Sequence, residues 1–340
     1  MVADGRDIPA EHVGAVLEGI DAALSEAEAA GDDRALANLL AAGAHAALRK
    51  GDARTARTFG ERAARARFQH HTAQYDAIRA QGFAATAAGD LETALHQTIK
   101  ARVLARDRGR HRDLAEQSCT LAALYLALGA PAEARSCADA ALGAARHEDA
   151  RDVAASASAW RACADGETGL LDHAVDALAA IDMADLSVAT QVDVACARAY
   201  WLLERGADGD ARTAEDVAAA ALTAARRAGV DHRRTTLHAH LARAAARRGD
   251  GDRAREELER ARRSSDRAEP AALSLLALAA GEVLTSTDTQ RQVMLGAARA
   301  RVLRTASRRE DPRAYCTAVR LHRRLLELTG GIPADLPGPS

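Results

Sequence analysis

Apolar residues return along this chain at helical spacing. Leu121, Leu124, Tyr125 and Leu128 stand at i, i+3, i+4 and i+7, one stripe down one side of a helix. Segments 72–88, 91–108, 111–128 and 132–147 are each of helix length and free of proline. Pro131 stands at the first turn of the last of these, where proline is tolerated. Alternating runs of β-branched and aromatic residues are missing, so no strand is predicted. The expected fold class is all-α.

The breaks between the stripes are regular. A glycine followed five residues later by alanine occurs at Gly51/Ala56, Gly89/Ala94, Gly129/Ala134, Gly169/Ala174 and Gly249/Ala254. The glycines are 38, 40, 40 and 80 residues apart, and Gly206/Ala211 falls inside the double gap. Glycine ends a helix in a left-handed conformation at no steric cost. Asp52, Asp90 and Asp250 follow three of these glycines and are placed to cap the next helix. The alanine is predicted to face the preceding helix, its small side chain permitting close packing.

The segments GDARTA (51–56), GDLETA (89–94), GAPAEA (129–134), GLLDHA (169–174) and GDGDRA (249–254) resemble the tetratricopeptide repeat (TPR) family. Gly82, seven residues before Gly89, matches a further family position, as do Ala63, Ala101, Ala141 and Ala261, each twelve residues after its turn glycine. The repeat here is near 40 residues rather than the family's usual 34, and the closing proline is absent. The resemblance implies an α-solenoid of stacked antiparallel helix pairs, a TPR-like superhelix. The expected organisation is a capping helix within 1–31, about six repeats over 32–268, divergent and capping helices over 269–329 and a disordered Gly/Pro-rich tail at 330–340. Residues 9–30, 270–284, 288–308 and 312–329 are read as the flanking helices. In the fifth repeat, Gly206 and Gly209 compete as the turn.

In the family, the first helix of each pair lines a concave groove. Groove positions counted back from the turn glycines by 13, 10, 6, 3 and 2 give the candidate partner-binding residues. They are Asn38, His45, Arg49, Asp76, Arg79, Phe83, Glu116, Cys119, Cys163, Asp193, Cys196, Tyr200, Arg243 and Arg247, with Ser156, Glu167, Glu204 and Thr236 beside them. The mixture suits a peptide or protein segment. Only Arg79 matches the family's carboxylate clamp, so chaperone tails are not expected.

Composition narrows the picture. Hydrophobic residues make up 48% of the chain and aromatic residues only 3%, so the core is built mainly from alanine. The formal charge is −2, which exerts no overall pull toward nucleic acid. Acidic residues crowd 1–36, and ten arginines crowd 291–324. These are expected to be solvated faces, or ends that meet partners or each other. Cys119, Cys137, Cys163, Cys196 and Cys316 form no C-x-x-C pair, an arrangement unlike a disulfide framework. No signal peptide or membrane span is expected, which points to the cytoplasm.

Chemical motifs are sparse. His111-Arg112-Asp113-Leu114 copies the start of a kinase catalytic loop, without the downstream asparagine or D-F-G. The adjacent His70-His71 and the pair His238 and His240 diverge on a helix, and no H-x-x-x-H occurs. Phosphate loops and nucleophile elbows are absent. Arginine doublets such as Arg247-Arg248 and Arg262-Arg263 are interleaved with acids, so nucleic acid is not the expected partner. Neither an enzyme nor a cofactor is expected. Two readings stay open: an adaptor binding a peptide or protein in its groove, and a ligand- or peptide-sensing module acting with a bacterial transcription regulator or kinase.

Overall fold

A computed structural model describes residues 13–50, 52–66, 68, 71–146, 150–231, 233–265, 268, 270–309, 311–334 and 336. Among them, helices follow one another with no strand. A leading helix, α1 (Val13–Ala30), packs on α2 (Asp33–Arg49). The pairs continue as α2 with α3 (Ala53–Arg65), α4 (His71–Ala88) with α5 (Leu91–Asp107), and α6 (His111–Ala127) with α7 (Pro131–Ala145). Next come α8 (Arg151–Glu167) with α9 (Leu171–Ala179), α10 (Val188–Arg205) with α11 (Asp210–Arg227), and α12 (Arg234–Arg247) with α13 (Gly251–Arg263). The chain closes with α14 (Pro270–Val283), α15 (Thr289–Ala306), α16 (Pro312–Ala318) and α17 (Arg320–Glu327).

The local chemistry predicted for the turns is present. Gly89, Gly129, Gly169 and Gly249 all have positive φ, and Gly51 lies outside the described residues. The carboxylates of Asp52, Asp90 and Asp250 accept from the N–H groups of Thr55, Thr93 and Arg253 at 3.0–3.1 Å. Such caps contribute about 1 kcal/mol each. The alanines one turn into the second helices, Ala56, Ala94, Ala134, Ala174 and Ala254, are all buried.

Burial separates the two helices of a pair. In α12, every residue from Thr235 to Ala245 is buried. Its partner α13 buries only Ala254, Glu257, Leu258 and Ala261, a single i, i+3, i+4, i+7 stripe. The first helices therefore form the more deeply buried inner layer, fully enclosed at α12, and the second helices an outer layer with one face in solvent. Inner helices also pack on the next inner helix, as α8 does on α10 and α12 on α14.

The fifth repeat uses both competing glycines. Gly206 (φ 69°) ends α10, and Gly209 (φ 84°) opens α11. The alanine packed against the first helix is Ala214, five residues after Gly209 and fully buried, whereas Ala211 is only half-buried. The turn is three residues longer, so the inner helix counts from one glycine and the outer helix from the other.

The single helix expected at 312–329 is two. Val319 (φ −91°, ψ 117°) leaves the helical region and separates α16 from α17. The last helices return against earlier turns: a Cβ placed on Gly129 would meet the Cβ of Ala318 at 2.7 Å, and one on Gly89 would meet Pro270 at 2.7 Å. Arg309 pairs with Glu92 at 3.3 Å. In the tail, Ile332 and Leu336 pack on the core formed by α14–α17, and Arg313 donates to the carbonyls of Ala334 and Leu336. Residues 1–12, including Pro9, and 337–340 lie outside the described residues.

The turn geometry predicts two different costs. Gly249→Ala meets open space and pays only for positive φ, about 1 kcal/mol in urea denaturation. Gly129→Ala adds the overlap with Ala318 and should cost about 2–3 kcal/mol. Equal costs would show that α16 is not seated on that turn.

Candidate functional site on the inner helix row

The counted-back positions do fall along the inner helices, yet the row is not a free wall. Asp76, Arg79, Cys119, Cys163, Cys196, Thr236 and Arg243 are buried. Asn38, His45, Phe83, Glu116, Ser156, Glu167, Asp193, Tyr200 and Glu204 are partly buried, Arg247 is exposed, and the side chain of Arg49 lies outside the described set. The reason is the alanine core: inner helices approach so closely that a long side chain on one reaches the next.

Two polar clusters result. In the first, Arg79 of α4 lies 3.5 Å from Asp76 and 3.6 Å from Glu116 of α6. Its guanidinium stands over the rings of Tyr75 and Phe83 at 5.5 and 5.6 Å, and Phe83 stacks on His45 of α2 at 4.9 Å. Gln117 donates to the Tyr75 hydroxyl, which burial pushes well above its usual range. The kinase-like His111–Leu114 segment begins α6 here, and its Asp113 is fully buried and ion-paired with Arg110.

Between the clusters, thiols fill space. Burial pushes Cys119 and Cys163 up to about 12, each beside the indole of the next inner helix, Trp160 and Trp201. Such thiols are inert as nucleophiles. Asp193 accepts from Arg233 at 2.7 Å.

The second cluster is larger. Arg243 of α12 is wholly buried and donates to Glu204 of α10 at 2.7 Å and to Glu282 of α14 at 2.9 Å. Arg247 and Arg324 add to Glu282 at 3.5 and 3.4 Å. Burial alone would raise the Glu282 carboxyl, but these three arginines outweigh it and hold it below the usual range. Glu167, at the end of α8, accepts the backbone N–H of Arg320 at 2.8 Å. Burial pushes Glu167 up to about 7, with Glu204 adding to the rise and Arg320 and Arg323 opposing it. Tyr200 lies under the Arg243 guanidinium at 5.9 Å and edge-on to His240 at 6.3 Å. Burial, then Arg243, lowers His240 to about 3, so the ring is neutral. His238, two residues earlier, points away to Glu257 at 2.6 Å; His70 lies outside the described residues.

Sequence counting did not reach Glu282, His240, Arg320 or Arg324. Glu282 is two residues before Leu284, the place held by a turn glycine in the earlier repeats, so its phase was hidden. Arg320 and Arg324 belong to a helix outside the repeat. The basic C-terminal stretch meets Glu92, Glu204 and Glu282 rather than the acidic N-terminal segment, whose Glu28 pairs with Arg62. Members of the arginine doublets also find acids: Arg248 pairs with Glu215, and Arg262 and Arg263 with Glu259.

No protein-family model matches the chain, and no curated protein sequence matches it. Solved structures do. The chain is similar to a Rap protein complexed with Competence and Sporulation Factor, at 14% identity and TM-score 0.57, over 94% of this chain and 98% of that one. It is also similar to the apo form of the quorum sensor NprR from B. thuringiensis, at 13% identity and TM-score 0.51, over 94% and 99% of the two chains. The chain has a TPR-like α-solenoid fold. Within this solenoid the described residues contain no group of three or more His, Cys, Asp or Glu placed to hold a metal ion, and no described helix is long and apolar enough to cross a membrane. The inner row carries charged and aromatic side chains that pair between neighbouring inner helices.

Two measurements probe the second cluster. Arg243→Ala leaves Glu204 and Glu282 buried without their main counter-charge and should cost about 3–5 kcal/mol in urea denaturation. Because the folded-state pKa of Glu167 is raised from 4.5 to about 7, its contribution to stability is complete below pH 4.5 and is lost as pH rises through 7. Glu167→Gln should therefore match wild type near pH 4 and exceed it by about 3 kcal/mol at pH 8. Parallel stability curves across that window would refute the assignment.

Proposed function

We propose that this protein is a non-catalytic regulatory module that binds a peptide or protein segment along its inner helix row. The observation that carries this reading is the row itself. The inner helices α4, α6, α10 and α12 carry Arg79, Glu116, Tyr200, Glu204 and Arg243 in two contacting clusters, with buried inert thiols between them. The architecture is shared end to end with a Rap protein complexed with Competence and Sporulation Factor and with a quorum sensor, which supports a sensing role over a passive scaffold. On this reading the bound segment alters how the solenoid engages a transcription regulator or kinase encoded elsewhere. The adaptor reading shares the groove and differs in what fills it.

Native mass spectrometry of the protein purified from a bacterial host separates the two. A stoichiometric short peptide supports the sensor, and a stoichiometric folded protein the adaptor. Panning random dodecapeptides on the immobilised chain tests the groove directly. The half-buried His45 and Glu116 are the residues to change: His45→Ala with Glu116→Gln should weaken a selected peptide at least about tenfold, or ~1.4 kcal/mol, measured well below a melting temperature that falls because Glu116 also pairs with the buried Arg79. Unaltered affinity in that variant would remove the inner row as the binding site.

A further inference from the structure

Helix α17 has two unlike faces. Leu325 and Leu326 are buried in the core shared with Leu275 and Leu278 of α14 and Leu295 of α15. On the other face Arg320 and Arg324, one turn apart, meet carboxylates from three different inner helices. Arg320 lies 3.7 Å from Glu204 of α10, and Arg324 lies 3.4 Å from Glu282 of α14. Glu167 of α8 accepts the N–H of Arg320, completing a first turn whose own N-cap, Val319, offers no side-chain acceptor. That carboxylate is 153 residues away in sequence. The segment thus lies across the ends of the inner helices, where the row of candidate binding residues runs.

The fit on this charged side is incomplete. Tyr200 Oη, His240 Nδ1, Arg243 Nη1, Arg320 Nε and Arg324 Nε are buried polar atoms with no hydrogen-bond partner. Unpaired buried donors oppose association, so this charged side of α17 is held less firmly than its apolar side. A ligand that brought cations to Glu204 and Glu282 and acceptors to Tyr200 and Arg243 would satisfy more of them than α17 does.

We infer that α17 is a tethered occupant of the inner row, and that the segment this module binds is a basic helix carrying cations at i and i+4 with a hydrogen-bond acceptor beside them. The inference rests on the binding role proposed above and specifies its ligand class. The incoming helix displaces α17 from Glu167, Glu204 and Glu282 while the apolar side of the C-terminal core remains the tether. Because α17 is covalently attached, it competes at high effective concentration and keeps weak basic helices out.

The test uses the full chain. In Arg320→Glu/Arg324→Glu, amide hydrogen exchange over 312–327 should quicken at least about tenfold, with α8 and α10 as protected as in wild type. A labelled synthetic peptide spanning residues 312–329 should then bind this variant at least about tenfold more tightly than it binds wild type. The same peptide carrying both Arg→Glu changes should bind neither. If charge reversal loosens the whole chain, Arg320→Gln/Arg324→Gln gives the same readouts with side-chain bulk retained. Unchanged exchange over 312–327, or equal peptide binding by both chains, overturns the inference. Random peptides selected on the glutamine variant keep the two readings apart. Binders obtained while α17 stays protected leave the binding role standing without the tethered occupant. Release of α17 with no binder at all removes the binding role.

Discussion

The contact on which the rest depends is between an alanine methyl and the helix before it. Ala94, Ala134 and Ala174 each sit one turn past a left-handed glycine with no exposed surface. A methyl group buries little area, so this contact contributes little on its own. Its effect is geometric: it lets paired helices, and then successive inner helices, come close. Everything larger than alanine on the inner layer must then find room, or a partner, on the next helix.

That closeness explains the unusual content of the inner row. Arg243 is wholly enclosed and is tolerated there because Glu204 and Glu282 arrive from the helices on either side. Burying such a set adds little net stability, since loss of hydration offsets most of the attraction. What it does is admit one alignment of α10, α12 and α14, because a planar guanidinium meets two carboxylates only in a narrow range of positions. Arg79, with Asp76 and Glu116, repeats the device near the other end. The polar groups proposed for recognition therefore also set the spacing of the repeats.

The C-terminal helices use the same economy of contact at long range. Pro270 against Gly89, Ala318 against Gly129 and Arg320 against Glu167 bring the last quarter of the chain onto turns that precede it by many repeats. In a simple stack each repeat meets only its neighbours. Here three successive turns also meet C-terminal helices.

The helical class, the pairing, the turn positions and the packing alanines were all legible in the sequence, because each follows from rules that act within about ten residues: glycine at positive φ, aspartate caps, and a 3.6-residue period. Helix limits at 91–107 and 111–127 lie within a residue of those read from the pattern. The candidate residues counted back from the glycines lie on the inner helices. What local rules do not contain is distance between repeats. The burial of Asp76, Arg79 and Arg243, the double use of Gly206 and Gly209, the break at Val319 and the meeting of Glu167 with Arg320 all depend on how tightly the stack coils. Coiling sums small rotations over many helix pairs, and only the assembled structure performs that sum.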